Sequence, residues 1–280
     1  MSSFSERMGI VKPRVALELN EMPSSLQDGL WDLLSAHFFN NIRATPRSQY
    51  SGLSNGFQSV CVSIWYSFYR ESVDDIPPRA DEARSLIRER FFEWKYNRAY
   101  DFLEFLSGTL IEDEGASFRS NCNSHFEREH AAVRFVGEII APITNEIEHE
   151  ELEIAMDQSD VLGVQEHIKK ALRLFSQEAP DYANSVKEAI SAVESAVKFV
   201  SGTSSSGVQN GLKAIVRDFD MPESLQKGYA AIYGYTSGPN GIRHPLLDRQ
   251  EAITQDEARY MMVSCSSFAN YLLALKARSE

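Results

Sequence analysis

Apolar residues recur at spacings of three and four along most of the chain, so the pattern predicts helices almost throughout. Leu26, Leu30, Leu33, Leu34 and Phe38 share one face of a helix expected over 24–42. Ser24 and Gln27 read as a capping box at its start. The apolar run 57–70 fits strand or helix, and its length favours helix. Further helices are expected over about 81–94, 96–107 and 118–130, the first of them after the break at Pro77-Pro78. The stretch Ala132-Val-Arg-Phe-Val-Gly-Glu-Ile-Ile-Ala141 differs: β-branched residues flank Gly137, which predicts a hairpin with strands near 132–136 and 138–141. An acidic amphipathic helix follows, and then helices over about 163–178, 182–201, 208–219, 222–233 and 254–277. The fold class is mainly α, with one small hairpin in the first part of the chain.

Charge divides the sequence further. The 280 residues carry 28 Lys plus Arg against 40 Asp plus Glu, a formal net charge of −12. Residues 1–160 hold 15 basic and 27 acidic residues, a net of −12, and residues 161–280 hold 13 of each, a net of 0. With the break around Asp160 and Gly163, this sets an expected boundary near 158–163: one module over 1–160 and a helical domain over 161–280. The acidity argues against a cationic coat for nucleic acid or membrane over the first module. No run approaches a membrane span, no apolar leader opens the chain, and three scattered cysteines, Cys61, Cys122 and Cys265, read as buried reduced thiols. Together these point to the cytoplasm, with no membrane partner.

Candidate chemistry is sparse. No phosphate loop, dinucleotide fingerprint or zinc motif is present, and no cofactor or metal is expected. His125 and His130 fall on different faces of a helix, which leaves them as surface or satisfied helix histidines. The basic cluster Arg84, Arg88, Arg90, Lys95 and Arg98 is interrupted by Glu89 and Glu93 and reads as a solvated helix face. On the helix over 182–201, Val186, Ile190, Val193, Val197 and Val200 form a core stripe. Lys187, Ser191, Glu194 and Lys198 form a polar stripe beside it. Periodicity alone reads that stripe as an exposed face with a Glu194–Lys198 pair. A Gly- and Pro-rich segment over 234–245 carries Arg243-His244. The pair is either a surface feature of a loop or a phosphodiester-handling unit, in which His moves a proton and Arg holds phosphate charge.

The chain resembles abortive-infection proteins of the AbiJ type, which are bacterial anti-phage toxins. Phe4-Ser-Glu-Arg-Met-Gly9, Leu26-Gln-Asp-Gly-Leu-Trp31, Tyr100-Asp-Phe-Leu-Glu-Phe105 and Ala141-Pro-Ile-Thr144 carry the likeness in the first part. In the second part it rests on the run from Pro180 to Glu194, on Ile232-Tyr-Gly-Tyr-Thr-Ser237, Gly241-Ile-Arg-His244 and Val263-Ser-Cys-Ser-Ser-Phe-Ala-Asn-Tyr271. The resemblance implies an AbiJ N-terminal module followed by a HEPN-like helical bundle. HEPN domains typically dimerise, and many cut RNA without metal. Their usual Arg, separated from the His by four to six intervening residues, would fall at Ser237, Gly238 or Pro239, and Arg243 stands beside His244 instead. The implied site joins Glu194, Lys198, Arg243 and His244, with Lys187 and Tyr233 toward the substrate. The implied partners are RNA, a second copy of the chain, and a phage trigger or protein partner. A non-catalytic RNA- or protein-binding module, with the N-terminal part as sensor, is the alternative.

Overall fold

The computed structural model describes residue 8 and residues 17–39, 55–157, 161–177, 179–202, 208–237 and 253–279. These are mainly helical with one two-stranded antiparallel sheet, and they form two compact units, Met1–Pro142 and Ile143–Glu280.

The first unit contains α1 (Ser24–Leu34), α2 (Asn55–Ser63), α3 (Ala80–Glu93), α4 (Tyr96–Ser107), α5 (Glu112–Arg128) and the strands β1 (Arg134–Val136) and β2 (Ile139–Ala141). Two helices end in π-helical turns: α1 continues through Ser35–Phe39 and α2 through Ile64–Tyr69. The wider turns bring consecutive aromatics into one core, where Phe38 and Phe39 meet Phe118 and Phe57. Phe68 and Trp94 pack on the fully buried Phe102.

The expected capping box at α1 is absent. Pro23 occupies the N-cap without a side-chain bond, and Gln27 instead donates to the Phe91 carbonyl at 3.0 Å. Tertiary packing takes the amide that the local motif would use. Helix α5 begins six residues earlier than the apolar pattern suggests, because Glu112, Asp113 and Glu114 favour the positive end of the helix dipole. The basic cluster is only partly solvated. Arg98 lies over the Phe68 ring and donates to its carbonyl, while Arg90 covers Tyr69 and is held by Glu71 at 2.9 Å. Both guanidiniums thus seal the aromatic core.

The hairpin forms as the sequence predicts. Phe135 pairs with Ile140, and Gly137 opens the two-residue turn at φ 55°. Both open edges are closed by side chains. Asn123 of α5 accepts from the Phe135 N–H at 2.7 Å and donates to its carbonyl at 2.9 Å. The Glu104 carboxylate of α4 accepts from the Ile140 N–H. Asn123 therefore acts as a third strand one residue long. Asn123→Ala removes both bonds to Phe135 and is expected to cost about 1–3 kcal/mol, measured by denaturant unfolding.

The second unit contains α6 (Glu146–Met156), α7 (Leu162–Ser176), α8 (Tyr182–Ser201), α9 (Val208–Phe219), α10 (Glu223–Ser237) and α11 (Gln255–Ala277). Helix α8 is central and packs on α7, α9 and α11, with Val186, Ile190, Val193, Val197 and Val200 all buried as the stripe predicts. Gly163 lets α7 approach α8 closely, since a Cβ there would sit 2.8 Å from Ser195 Oγ. A capping box does start α11, formed by Thr254 and Glu257.

The division between the units differs from the boundary expected near 158–163. The acidic helix α6 packs on α11 and α7, where Asn270 donates to the Glu151 carbonyl and carboxylate, both at 3.0 Å. Packing thus places the acidic run with the second unit. Residues 1–142 carry 15 basic and 20 acidic residues, a net of −5, and residues 143–280 carry 13 and 20, a net of −7. The second unit is not neutral.

All three cysteines are free and buried. Burial pushes the Cys61 and Cys265 thiols up to about 12 and Cys122 higher still, so thiolate is scarce at pH 8. A thiol-reactive dye at that pH is expected to label none of the three at first in the native protein, and all of them in denaturant.

Candidate functional site

Helix α8 presents the polar stripe that the sequence singles out. Lys187 is half-buried and donates to Asn184 Oδ1 at 3.2 Å. Ser191 turns its hydroxyl back to the Lys187 carbonyl at 3.0 Å. Glu194 is half-buried and Lys198 is exposed. The stripe is therefore graded, with its carboxylate drawn inward and a terminal lysine left in solvent.

Helix α10 supplies the next component. Tyr233 donates from Oη to Glu194 Oε1 at 3.1 Å. One turn earlier, Tyr229 stacks on Phe268 of α11. Its burial, reinforced by nearby Cys265 and Tyr260, pushes the phenol up to about 12. It stays neutral through the physiological range. The two tyrosines share one face of α10 and fix that helix against α8 and α11. Helix α10 ends at Ser237, six residues before Arg243. Glu194 and Tyr233, two residues of the expected site, are thus brought together. Lys187 and Lys198 lie on the same helix as Glu194, two turns before it and one turn after it. Arg243 and His244 lie outside the described residues.

The sequence reading missed one contact of the same chemical kind. His167 of α7 and Glu188 of α8 meet at 2.7 Å between ring Nδ1 and Oε2, both about one-third exposed. The pairing bridges two helices, and spacing within either helix does not show it. The only available signal is that each residue borders a buried position, Ile168 and Ala189. Of the two histidines considered as ligands, His125 is buried and doubly bonded, and His130 is exposed at a positive φ of 56° just past α5. Among the described residues, no group of three or more His, Cys, Asp or Glu side chains is placed to hold a metal ion. No helix among them is long and apolar enough to cross a membrane.

The architecture defines a two-unit, mainly helical protein whose second unit gathers a carboxylate, a phenol and lysines around one central helix. Residues 2–158 match the family model AbiJ N-terminal domain 4, more than half of the chain, so this protein belongs to the AbiJ family and is associated with abortive infection. The match runs past the first compact unit to include α6. No curated protein and no solved structure matches the chain.

Proposed function

We propose that this protein is an anti-phage effector whose second unit is a HEPN-like domain that cuts RNA without a metal. In this reading His244 takes the proton from a ribose 2′-OH or gives one to the leaving 5′-oxygen. Arg243 and Lys198 hold the phosphate charge, and Glu194 orients His244 or Arg243. Lys187 and Tyr233 contact the substrate. Attack by the 2′-oxygen leaves a 2′,3′-cyclic phosphate and a 5′-OH. A single imidazole performs one proton transfer at a time, so a homodimer that contributes a second His244 supplies the other. The first unit answers a phage trigger or protein partner.

The supporting observation is the Tyr233–Glu194 bond. It fixes the helix that leads into the Arg243-His244 segment against the helix that carries Glu194 and Lys198. The net of −7 in residues 143–280 gives the unit no overall attraction for RNA, so phosphate binding falls to Lys187, Lys198 and Arg243. A second reading, a non-catalytic RNA- or protein-binding module with the first unit as sensor, draws on one sequence observation. Ser237, Gly238 and Pro239 occupy the places where the HEPN-type Arg would stand.

Induced expression in bacteria separates the two readings. Wild type is expected to arrest growth, on its own or on phage infection, and His244→Ala, with a native circular-dichroism spectrum, is expected to restore it. Equal growth of the two under both conditions would rule out the nuclease.

A further inference from the structure

The outward face of α6 is not used by the site above. Ile147, Glu150, Ile154 and Asp157 follow one another at spacings of three, four and three, so they form a single stripe, and all four are exposed. Ile147 is 72% exposed, among the most exposed large apolar side chains described, and Ile154 is 41% exposed. Glu146 flanks the stripe and is also exposed. The opposite face is firmly seated, with Leu152 and Ala155 fully buried and Glu151 held by Asn270. Asn145 caps the helix by accepting from the N–H groups of Ile147 and Glu148. The stripe is therefore a rigid rod about 15 Å long that alternates isoleucine and acid.

We infer that this face docks one amphipathic helix of a cationic protein partner, with apolar residues against Ile147 and Ile154 and Lys or Arg against Glu150 and Asp157. The spacing is that of a heptad seam, in which a charged position selects the partner at some cost in stability. Other occupants fit less well. Residues 144–160 contain seven acidic residues and no Lys or Arg, so a second copy would set carboxylates against carboxylates. RNA would meet the same field and would leave the isoleucines unburied. A cationic helix buries the apolar pair and neutralises the acids in one register.

The test uses the full chain and a labelled synthetic helical peptide whose seam alternates Leu and Lys, followed by fluorescence anisotropy. A peptide with Glu in place of each seam Lys is the control. The Lys peptide is expected to bind at least about tenfold more tightly than the Glu peptide. Ile147→Ser/Ile154→Ser is expected to weaken it by a similar factor, as is Glu150→Gln/Asp157→Asn. Asp74→Asn/Asp75→Asn removes two exposed charges from the other unit and is expected to leave binding unchanged. The four stripe side chains are exposed, so these variants keep the wild-type melting curve. If the isoleucine variant binds like wild type, or if the Asp74/Asp75 variant weakens as much as the Glu150/Asp157 one, the attraction is unspecific charge and the inference fails. It fails equally if the Ile147/Ile154 variant abolishes self-association of the chain while peptide binding persists.

Discussion

Gly29→Ala is expected to destabilise the first unit by about 3 kcal/mol or more, a large share of the roughly 5–15 kcal/mol that holds a domain together. A Cβ on Gly29 would lie 2.1 Å from Cε1 and 2.3 Å from Nε2 of His125. The ring cannot step aside cheaply. Its Nε2–H donates to the Leu26 carbonyl at 2.9 Å, which makes Nδ1 the acceptor for Arg128 at 2.6 Å. With His125 only 5% exposed and Leu26 fully buried, displacement would strand the Leu26 carbonyl away from water and break the bond to Arg128. All three tryptophans, Trp31, Trp65 and Trp94, belong to this unit, so their fluorescence during urea unfolding reports it selectively. Adding His125→Ala to Gly29→Ala is expected to cost less than the sum of the two single changes, because the second substitution removes the atom that the first strikes. A Gly29→Ala protein within about 0.5 kcal/mol of wild type would contradict the close approach.

Much of this arrangement was legible in the sequence. The helices over 96–107, 182–201 and 208–219 fall where the apolar periodicity puts them, because each buries one broad stripe. The hairpin was legible because Gly137 sits between β-branched runs. What stayed hidden depends on partners distant in sequence. Gln27 bonds to Phe91 and not to its own helix end, and Asn123 closes a strand edge from another element. Arg90 and Arg98 cover aromatics that a charge count reads as facing solvent. The seat of α6 was hidden for the same reason. The Glu151–Asn270 bond joins the helix to α11, while the family match ends at residue 158, beside the boundary that the charge split suggests.

The candidate site shows the same division. Periodicity alone reads Lys187, Glu194 and Lys198 as an exposed helix face. Family resemblance adds Tyr233, Arg243 and His244 as residues of a site. Only the packed chain shows Tyr233 meeting Glu194, since the two lie on different helices, 39 residues apart. His167 and Glu188 met without any such signal.

The second large effect concerns catalysis. If His244 moves a proton in the rate-limiting step, His244→Ala is expected to lower RNA cleavage by about 10²–10⁴-fold, the range for a lost general acid or base. Glu194→Gln keeps the shape of the side chain and its contact with Tyr233 but removes the charge, so it is expected to cost less. Tyr233→Phe removes only the hydroxyl bond and is expected to cost least. That ordering tests whether Glu194 acts through its charge or only as an anchor for α10.

The most direct measurement is the chemistry of the cut ends. Purified protein is incubated with bacterial total RNA in the presence of a chelator, with phage lysate added in a parallel sample, and the product termini are determined. The account predicts 2′,3′-cyclic phosphate and 5′-OH ends that persist in chelator and vanish with His244→Ala. No cleavage in either sample, or ends bearing 3′-OH and 5′-phosphate that disappear in chelator, would contradict it.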